Sequence, residues 1–515
     1  MIYPTYEAVA KTAAETGCRR HPIKMEIGYD MLTPIMAVKK LRAVSNHVFI
    51  LESAHKDKRW GRYSFIGFDP VMEITCVDGK MKVKAGCGES IPGLSGQSEQ
   101  AAESPKQDTG SVTEFETDKP GEVIRRIINE NRAPKLSDFP PFSGGLVGYF
   151  SYDYIRYSEP TLKLSAEDEE DFKDLDLMLF DKVIAFDNYM NKIILMVNVR
   201  CDNLLSDYSE GMKKLMDMRD ILLNGRMWEN PPLRLRSDFR YLFSEEEYCD
   251  IVEKGKHHIH EGDIFQIVLS NRIEADTEGS LFDTYRVLRR TNPSPYMFYF
   301  SSDDIELAWA SPETLVRLEG DKLNTFPLAG TRPRGTTEEE DLQLEKELLA
   351  DEKERAEHNM LVDLGRNDIG KISKIGTVEV EKYMEIERFS HVMHIGSTVG
   401  GIIRDDKDAL DAIDSILPAG TLSGAPKLRA CELICELEKN KRGIYGGAIG
   451  YIDLTGNLDT CIAIRLAFSK NGKVFVRSGA GIVADSVPKT EFKECMNKAR
   501  AVLNALKESE GGLDK

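Results

Sequence analysis

Two glutamate pairs, Glu354 with Glu357 and Glu491 with Glu494, stand three residues apart in segments whose apolar spacing reads as helix. At helical periodicity each pair projects from one face. The first pair shares its face with Met360, Leu361 and Leu364, while Arg355, Asn359 and Asp363 fall elsewhere, so these acids aim inward. Carboxylates turned toward an interior need a cation or a proton. Four of them converging from two helices would form an oxygen-only clamp, the donor set that Mg²⁺ takes together with waters and substrate oxygens. The spacing also has an ordinary reading. The chain holds 86 acidic residues, and Glu167 with Glu170 repeats the pattern in a solvated acidic run. Asp351 ahead of Glu354 also has the form of a helix-capping pair that could occupy Glu354 without any ion.

The elements that must position these acids follow from pattern and punctuation. Short apolar runs at 48–52, 63–67, 71–77, 144–149 and 192–199 read as strands. Thr455-Gly-Asn-Leu458 reads as a hairpin turn, and Asn471-Gly472 reads as another, separating a strand over 461–468 from one over 473–477. Helices are expected over 341–365, 427–440 and 489–507. The sum is an α+β fold with antiparallel sheets flanked by helices. A polar break around Asn230, Pro231 and Pro232 marks a boundary near residue 240, giving regions 1–235 and 240–506 and a tail over 507–515. The segment 86–121, rich in Gly, Ser, Gln, Glu and Pro, reads as a flexible insertion.

Composition narrows the function classes. With 515 residues, 41% hydrophobic and 30% charged, the chain can bury a large core. A net charge of −18 argues against a nucleic-acid surface, and an anionic small molecule would need local cations or a metal. Nine scattered cysteines without Cys-x-x-Cys spacing fit reduced thiols in a cytoplasmic protein. No membrane-spanning run or export signal is expected.

Two phosphate-binding patterns fail on context. Gly479-Ala-Gly-Ile-Val-Ala484 matches a dinucleotide fingerprint, but its strand belongs to a hairpin and Asp485, Ser486 and Pro488 delay the next helix. The small residues instead suit close approach of backbone N–H groups to another anion. Gly420-Thr-Leu-Ser-Gly-Ala-Pro-Lys427 lacks the Gly-Lys-Ser/Thr ending of a P-loop. There, Thr421 as a ligand contact and Ser423 as a helix cap weigh equally.

Taken together, Pro327-Leu-Ala-Gly-Thr-Arg332, the run from Ala356 to Asp368, His391-Val-Met-His394, the run from Pro418 to Lys427 and that from Ser478 to Ser486 resemble the chorismate-binding enzymes over residues 240–506. Leu51-Glu-Ser53 and Asn292-Pro-Ser-Pro-Tyr-Met297 resemble the large subunit of anthranilate synthase. The resemblance implies a sandwich of antiparallel sheets, with Mg²⁺ held against the ring carboxylate of chorismate by Glu357 and Glu494 directly and by Glu354 and Glu491 largely through water. It implies that Arg465 and Lys498 meet substrate carboxylate, that Tyr445 hydrogen-bonds it, and that the backbone of Gly479, Ala480 and Gly481 donates to it. Thr331 and Gly330 would contact the ring or enolpyruvyl side, and Thr421 the ligand from its loop. Glu313 would be the general acid for the departing hydroxyl, with His394 beside it. Each has a plainer reading: an i,i+4 surface pair for Lys498, a strand-end acid for Glu313 and a satisfied core histidine for His394. An unpaired inward guanidinium in the 461–468 strand would be costly, which favours a ligand for Arg465.

The resemblance also separates branches of the family. Gln266 stands where isochorismate- and salicylate-forming relatives carry a water-activating lysine, and Ala329 stands where aminodeoxychorismate synthases place a lysine nucleophile. Both departures point to amination at C2, giving anthranilate and pyruvate, the first committed step toward tryptophan. The para-aminobenzoate branch and a non-catalytic tryptophan-binding subunit are the alternatives. Glu52, Ser53, Pro295, Tyr296 and Met297 would form an L-tryptophan feedback pocket, against a plainer reading as buried strand segments. Cys87 lacks the context of a glutaminase nucleophile, so ammonia is expected from a partner glutamine amidotransferase in a hetero-oligomer.

Overall fold

The computed structural model describes residues 2–28, 30, 32–54, 61–86, 89, 110–389 and 392–513. Two large sheets organise them. The first runs, in spatial order, Ile2–Tyr3, Arg20–Gly28, Lys192–Arg200, Lys182–Asp187, Tyr63–Phe68, Val48–Glu52, Tyr296–Ser301, Glu306–Ser311, Leu466–Lys470, Lys473–Ile482, Gln266–Glu278 and Arg234–Leu235. The second runs Leu328–Pro333, Val392–Ile402, Lys322–Thr325, Thr314–Glu319, Leu458–Ile462, Ala448–Asp453, Gly145–Phe150, Leu175–Phe180, Met72–Val77, Lys80–Ala85 and Ser111–Glu116. Both sheets run on across the break near residue 235. Val48–Glu52 pairs with Tyr296–Ser301 in one, and Gly145–Phe150 pairs with Ala448–Asp453 in the other, both antiparallel.

Period-2 alternation explains why the sheets stack. Along adjacent strands, Phe49, Val183, Ala185, Ile194, Met196, Phe298 and Phe300 face the second sheet and meet Val147, Tyr149, Met178 and Phe180. Val48, Ile50, Ile184, Phe186, Ile193, Leu195 and Tyr299 face the other way, under helices that contribute Val38, Leu41, Leu215, Tyr285 and Val502. Burial on both faces is why Lys192–Arg200 reads as a nearly unbroken apolar run. Aromatic rings fill the space between the sheets, with Phe298 and Trp309 4.1 Å apart and Phe49 and Phe180 4.7 Å apart between centroids. The second sheet packs its other face against Pro120–Asn129, Glu352–Gly370 and Ala409–Ile416.

The α+β expectation holds, with three local differences. The helix expected over 341–365 divides at Asp351 into Glu338–Ala350 and Glu352–Gly370. Asp351 is extended there, and its carboxylate accepts from the backbone N–H of Lys353 and Glu354, which starts a second helix. The strand expected over 461–468 is two strands, interrupted at residues 463–465, where Arg465 adopts φ 53°. Much of the insertion expected over 86–121 lies outside the described residues, but Ser111–Glu116 forms an edge strand paired with Lys80–Ala85. The tail is tied back, with Gly511 N–H donating to the Leu233 carbonyl at 2.8 Å. No helix among the described residues is long and apolar enough to cross a membrane.

A buried ionic knot holds the Lys473–Ile482 strand, on which the Pro488–Ser509 helix packs, to its neighbours. Glu438, at the end of the Lys427–Glu438 helix, is 2% exposed and accepts from Ser270 N–H and hydroxyl, Arg442 and Arg477. Arg442 also donates to the carbonyls of Leu422 and Val268. One carboxylate thereby ties the 420–422 turn to the strands Gln266–Glu278 and Lys473–Ile482. The two guanidiniums outweigh the burial cost and hold the Glu438 carboxyl below its ordinary value. Removing one member strands a buried charge. Glu438→Gln is expected to lower unfolding stability by about 3–5 kcal/mol in denaturant titrations. Because this carboxyl is depressed in the fold, its stabilisation is complete above the unfolded carboxylate value and is lost as pH falls through the folded one. The gap between wild type and Glu438→Gln should therefore narrow in acid.

Candidate active site

The Glu352–Gly370 and Pro488–Ser509 helices bring the two glutamate pairs to one space. Leu361 is buried and Met360 and Leu364 half-buried on the inward face, while Arg355, Asn359 and Asp363 are exposed. Glu357 is held above the usual carboxylate range by burial, then by Glu354 on its own helix and by Glu494 on the other. Glu491, 7% exposed, is raised by burial and by Glu494. Glu494 thus lies near enough to Glu357, across the two helices, for its charge to be felt there. The acids are unlike in their neutralisation. Arg332 reaches Glu354 at 3.4 Å, Lys498 pairs with Glu494 at 2.8 Å, and among the described residues no cation stands within salt-bridge distance of Glu357. Asp351 caps the helix through backbone bonds, and the Glu354 carboxylate stays turned to Arg332 rather than back to the cap.

This donor set fits a hard divalent ion. It offers carboxylate oxygens alone, partly buried and repelling one another, and a bound dication would relieve both penalties. The four acids do not place three ligand oxygens within 4.8 Å of one another. They therefore do not close a full protein shell, and waters or a ligand oxygen would complete the coordination.

Around the acids the sequence candidates form a continuous circuit. Gly330 lies where the ladder between Leu328–Pro333 and Val392–Ile402 breaks register, at φ 63°. A Cβ there would stand 3.1 Å from Glu354 Oε2. The Gly330 carbonyl accepts from His394 Nδ1 at 2.8 Å, which assigns the proton to Nδ1 and leaves Nε2 as the acceptor nitrogen. Thr331 Oγ1, exposed at the bulge, stands 3.2 Å from the same Nδ1. Burial pushes the His394 imidazole down to about 4, so it is neutral at physiological pH.

On the other side a Cβ at Gly481 would stand 2.8 Å from Gln266 Nε2 and 3.9 Å from Glu357 Oε1, so amide, backbone and acid meet there. A Cβ at Gly479 would stand 3.1 Å from the Tyr445 hydroxyl. Gly479, Ala480 and Gly481 pair with Ser270, Leu269 and Val268 on one edge. Pairing with Leu466–Lys470 on the other edge ends at Val476, so among the described residues that edge has no strand neighbour. This answers why a dinucleotide-like glycine pattern stands in a hairpin: the small residues expose backbone beside the acids. Lys498 donates to the Gly479 carbonyl at 3.2 Å as well as to Glu494. The i,i+4 pair expected as the ordinary reading does form, and it reaches into the circuit.

Glu313 completes it. It is 8% exposed and pushed up to about 7 by burial, against which the Thr421 hydroxyl, donating at 3.0 Å, Lys498 and Arg465 act in the opposite direction. Thr421 therefore touches this acid, while Ser423 donates to the Ala419 carbonyl and does not cap the Lys427–Glu438 helix. Arg465 is half-buried in the strand break, and desolvation lowers its basicity with only the Glu313 charge opposing. A guanidinium in this setting gains from an incoming carboxylate. Three supporting residues escaped sequence reasoning. Arg332 was visible only as a member of a motif, Glu438 lies far along the chain from what it ties, and buried His358 anchors its helix through Ser397 at 2.6 Å.

Glu52, Ser53, Pro295, Tyr296 and Met297 line a separate cavity of about 1370 Å³, to which none of the four glutamates contributes. Glu52 is engaged there by the chain itself, accepting from Arg289, Tyr285 and Ser64. Tyr296 donates to Asp459 at 2.7 Å, and Met297 packs in the core on the helix side.

The chorismate binding enzyme pattern matches residues 51–504. Anthranilate synthase component 1 of Acetivibrio thermocellus is 44% identical over 518 residues, covering 99% of each chain. Its counterpart in Aquifex aeolicus is 42% identical, covering 95% of each. The crystal structure of anthranilate synthase component I from Streptococcus pneumoniae superposes with a TM-score of 0.71 at 34% identity, over 92% of this chain and 98% of that one. The menaquinone-specific isochorismate synthase of Escherichia coli shares the fold, with a TM-score of 0.68 at 16% identity, over 97% of this chain and 99% of that one. With the match spanning nearly the whole sequence and the motif residues gathered around one space, the chain belongs to the chorismate binding enzyme family.

Proposed function

We propose that the chain is the large subunit of an anthranilate synthase, converting chorismate and ammonia to anthranilate, pyruvate and water. The observation that carries this reading is the convergence of Glu357 and Glu494 with Arg465, Lys498 and the 479–481 backbone around one space. Chorismate is a dianion, and a chain of net charge −18 must neutralise it locally. Glu357 and Glu494 would hold Mg²⁺ directly, and Glu354 and Glu491 would do so largely through water. When bound, the ion supplies Lewis-acid charge at the ring carboxylate and a fixed template.

The chain's own groups do the rest. Arg465 and Lys498 receive substrate carboxylate, with Tyr445 and the 479–481 backbone orienting it, and Gly330, Thr331 and Thr421 line the ring. Glu313, pushed up to about 7, keeps a proton to give to the departing C4 hydroxyl. Neutral His394, its Nδ1–H fixed on Gly330, presents Nε2 beside it. Gln266 is an amide, unable to activate water as a base, and neutral ammonia needs none. Ala329 offers no nucleophile, which favours direct amination at C2 over the para product. The relatives are named component 1. A glutamine amidotransferase subunit supplies the ammonia, and L-tryptophan acts at the 1370 Å³ cavity as feedback inhibitor.

Purified chain mixed with chorismate, Mg²⁺ and ammonium should yield fluorescent anthranilate and pyruvate in equal amounts. Glu357→Gln should lose activity together with its Mg²⁺ dependence; the para isomer as product, or a fully active Glu357→Gln, would refute the assignment. At saturating ammonia, activity should fall as pH rises through about 7, where Glu313 gives up its proton. Thr421→Val removes a bond that stabilises the Glu313 carboxylate, so this limb should move to higher pH, read from the kcat profile. Ser53→Ala should keep turnover and weaken tryptophan inhibition by about tenfold, a 1.4 kcal/mol loss. Inhibition curves that superpose would place the regulatory site elsewhere.

A further inference from the structure

Outside the site above, His47, Glu73 and Asp303 meet where the two sheets face each other. His47 directly precedes the strand Val48–Glu52, Asp303 lies in the turn between Tyr296–Ser301 and Glu306–Ser311, and Glu73 belongs to Met72–Val77 of the second sheet. His47 Nε2 stands 3.4 Å from Asp303 Oδ1 and 3.9 Å from Glu73 Oε1. One ligand atom from each residue lies within 4.8 Å of the others, and among the described residues this is the one His, Cys, Asp or Glu group of three or more so disposed. The nitrogen is shut off from solvent and makes no hydrogen bond. An imidazole nitrogen so buried, facing two carboxylate oxygens without bonding either, loses hydration and gains nothing in return.

The outer oxygens are already held. Lys84, the cross-strand neighbour of Glu73, reaches Glu73 Oε2 at 2.7 Å and Asp303 Oδ2 at 3.0 Å. Each carboxylate therefore turns one oxygen to the ammonium and the other to the imidazole. That division resembles a metal centre in which an outer cation or donor orients the ligating carboxylates. Bonds of about 2.0–2.2 Å around a tetrahedral Zn²⁺ put its ligand atoms roughly 3.3–3.6 Å apart. The two His47 spacings of 3.4 and 3.9 Å require little contraction, and the ligand atoms of the two carboxylates lie within 4.8 Å of each other.

We propose that His47 Nε2, Glu73 Oε1 and Asp303 Oδ1 form a binding site for a divalent transition-metal ion of the Zn²⁺ class. Water fills the fourth position on the side where Asp303 is 52% exposed. The mixed nitrogen and oxygen donors suit zinc and exclude Mg²⁺ as the natural occupant. The ion bolts the first sheet to the second, and residues 47 and 73 to residue 303, so its effect falls on stability rather than on chemistry at the glutamates.

The test is calorimetric titration of the metal-stripped full-length chain with Zn²⁺ in a large excess of Mg²⁺, which occupies the all-carboxylate site. One equivalent should bind to the wild type and equally to Glu357→Gln, and the thermal midpoint should rise with it. His47→Gln and Glu73→Gln should each lose about tenfold or more in affinity and the thermal shift with it. If Glu73→Gln fails to fold, Asp303→Asn, on a half-exposed turn, gives the same reading. No uptake by the wild type, showing an imidazole held by acids alone, would overturn the proposal. Uptake undiminished in His47→Gln, placing zinc on cysteines instead, would overturn it equally.

Discussion

Like charges held face to face set the terms for this molecule. Glu354, Glu357, Glu491 and Glu494 project from two helices into a partly dry space, where burial and the neighbouring charges raise the proton affinity of Glu357 and Glu491. Left alone, such a cluster would push its helices apart or take up protons. Two internal cations blunt the repulsion at its edges, Arg332 on Glu354 and Lys498 on Glu494, while among the described residues none pairs directly with Glu357. Lys498 also bears, together with Arg465, on the buried Glu313 carboxyl. The chain's negative surplus and its attraction for an anionic ring are reconciled over a few ångströms.

Keeping that cluster in place falls to a scaffold that is itself ionic and buried. Glu438 draws two guanidiniums and the Ser270 backbone onto one carboxylate, and through Arg442 it reaches the turn that carries Thr421. Beneath it the aromatic layer between the sheets fixes where the strands can lie. Each sheet joins a run of strands from before residue 235 to a run from after it, so both parts of the chain stiffen the sandwich together. The cavity at the seam between Val48–Glu52 and Tyr296–Ser301 belongs to both parts, and its lining runs on to Thr314, Leu328, Gly396 and Cys461 on strands of the second sheet. A ligand there would act on the pairing that joins the halves.

Local pattern carried much of this. The facing glutamates were legible because helical spacing with an apolar stripe fixes which side chains turn inward, and the Glu352–Gly370 helix bears that pattern out. Hairpins at 455–458 and 471–472 were legible because their turn residues permit little else. The strand break at Arg465 was not. An apolar run reads as continuous strand, and only tertiary packing forces a non-glycine residue to φ 53° within it. The division at Asp351 was half visible, since the cap was recognised but the helix ahead of it was joined to the one behind.

By itself the sequence determined the kinds of elements, the inward faces of the two acidic helices, the motifs of a chorismate-binding enzyme and the absence of lysine at 266 and 329. These are properties of neighbouring residues, written in spacing and residue type. Tertiary structure alone decided which polar groups meet: Arg332 with Glu354, Thr421 with Glu313, Glu438 with Arg477, and His47 with Glu73 and Asp303. Such partners are separated by up to hundreds of residues, and their pairing depends on strand order and burial, which lower the effective dielectric and turn proximity into charge regulation.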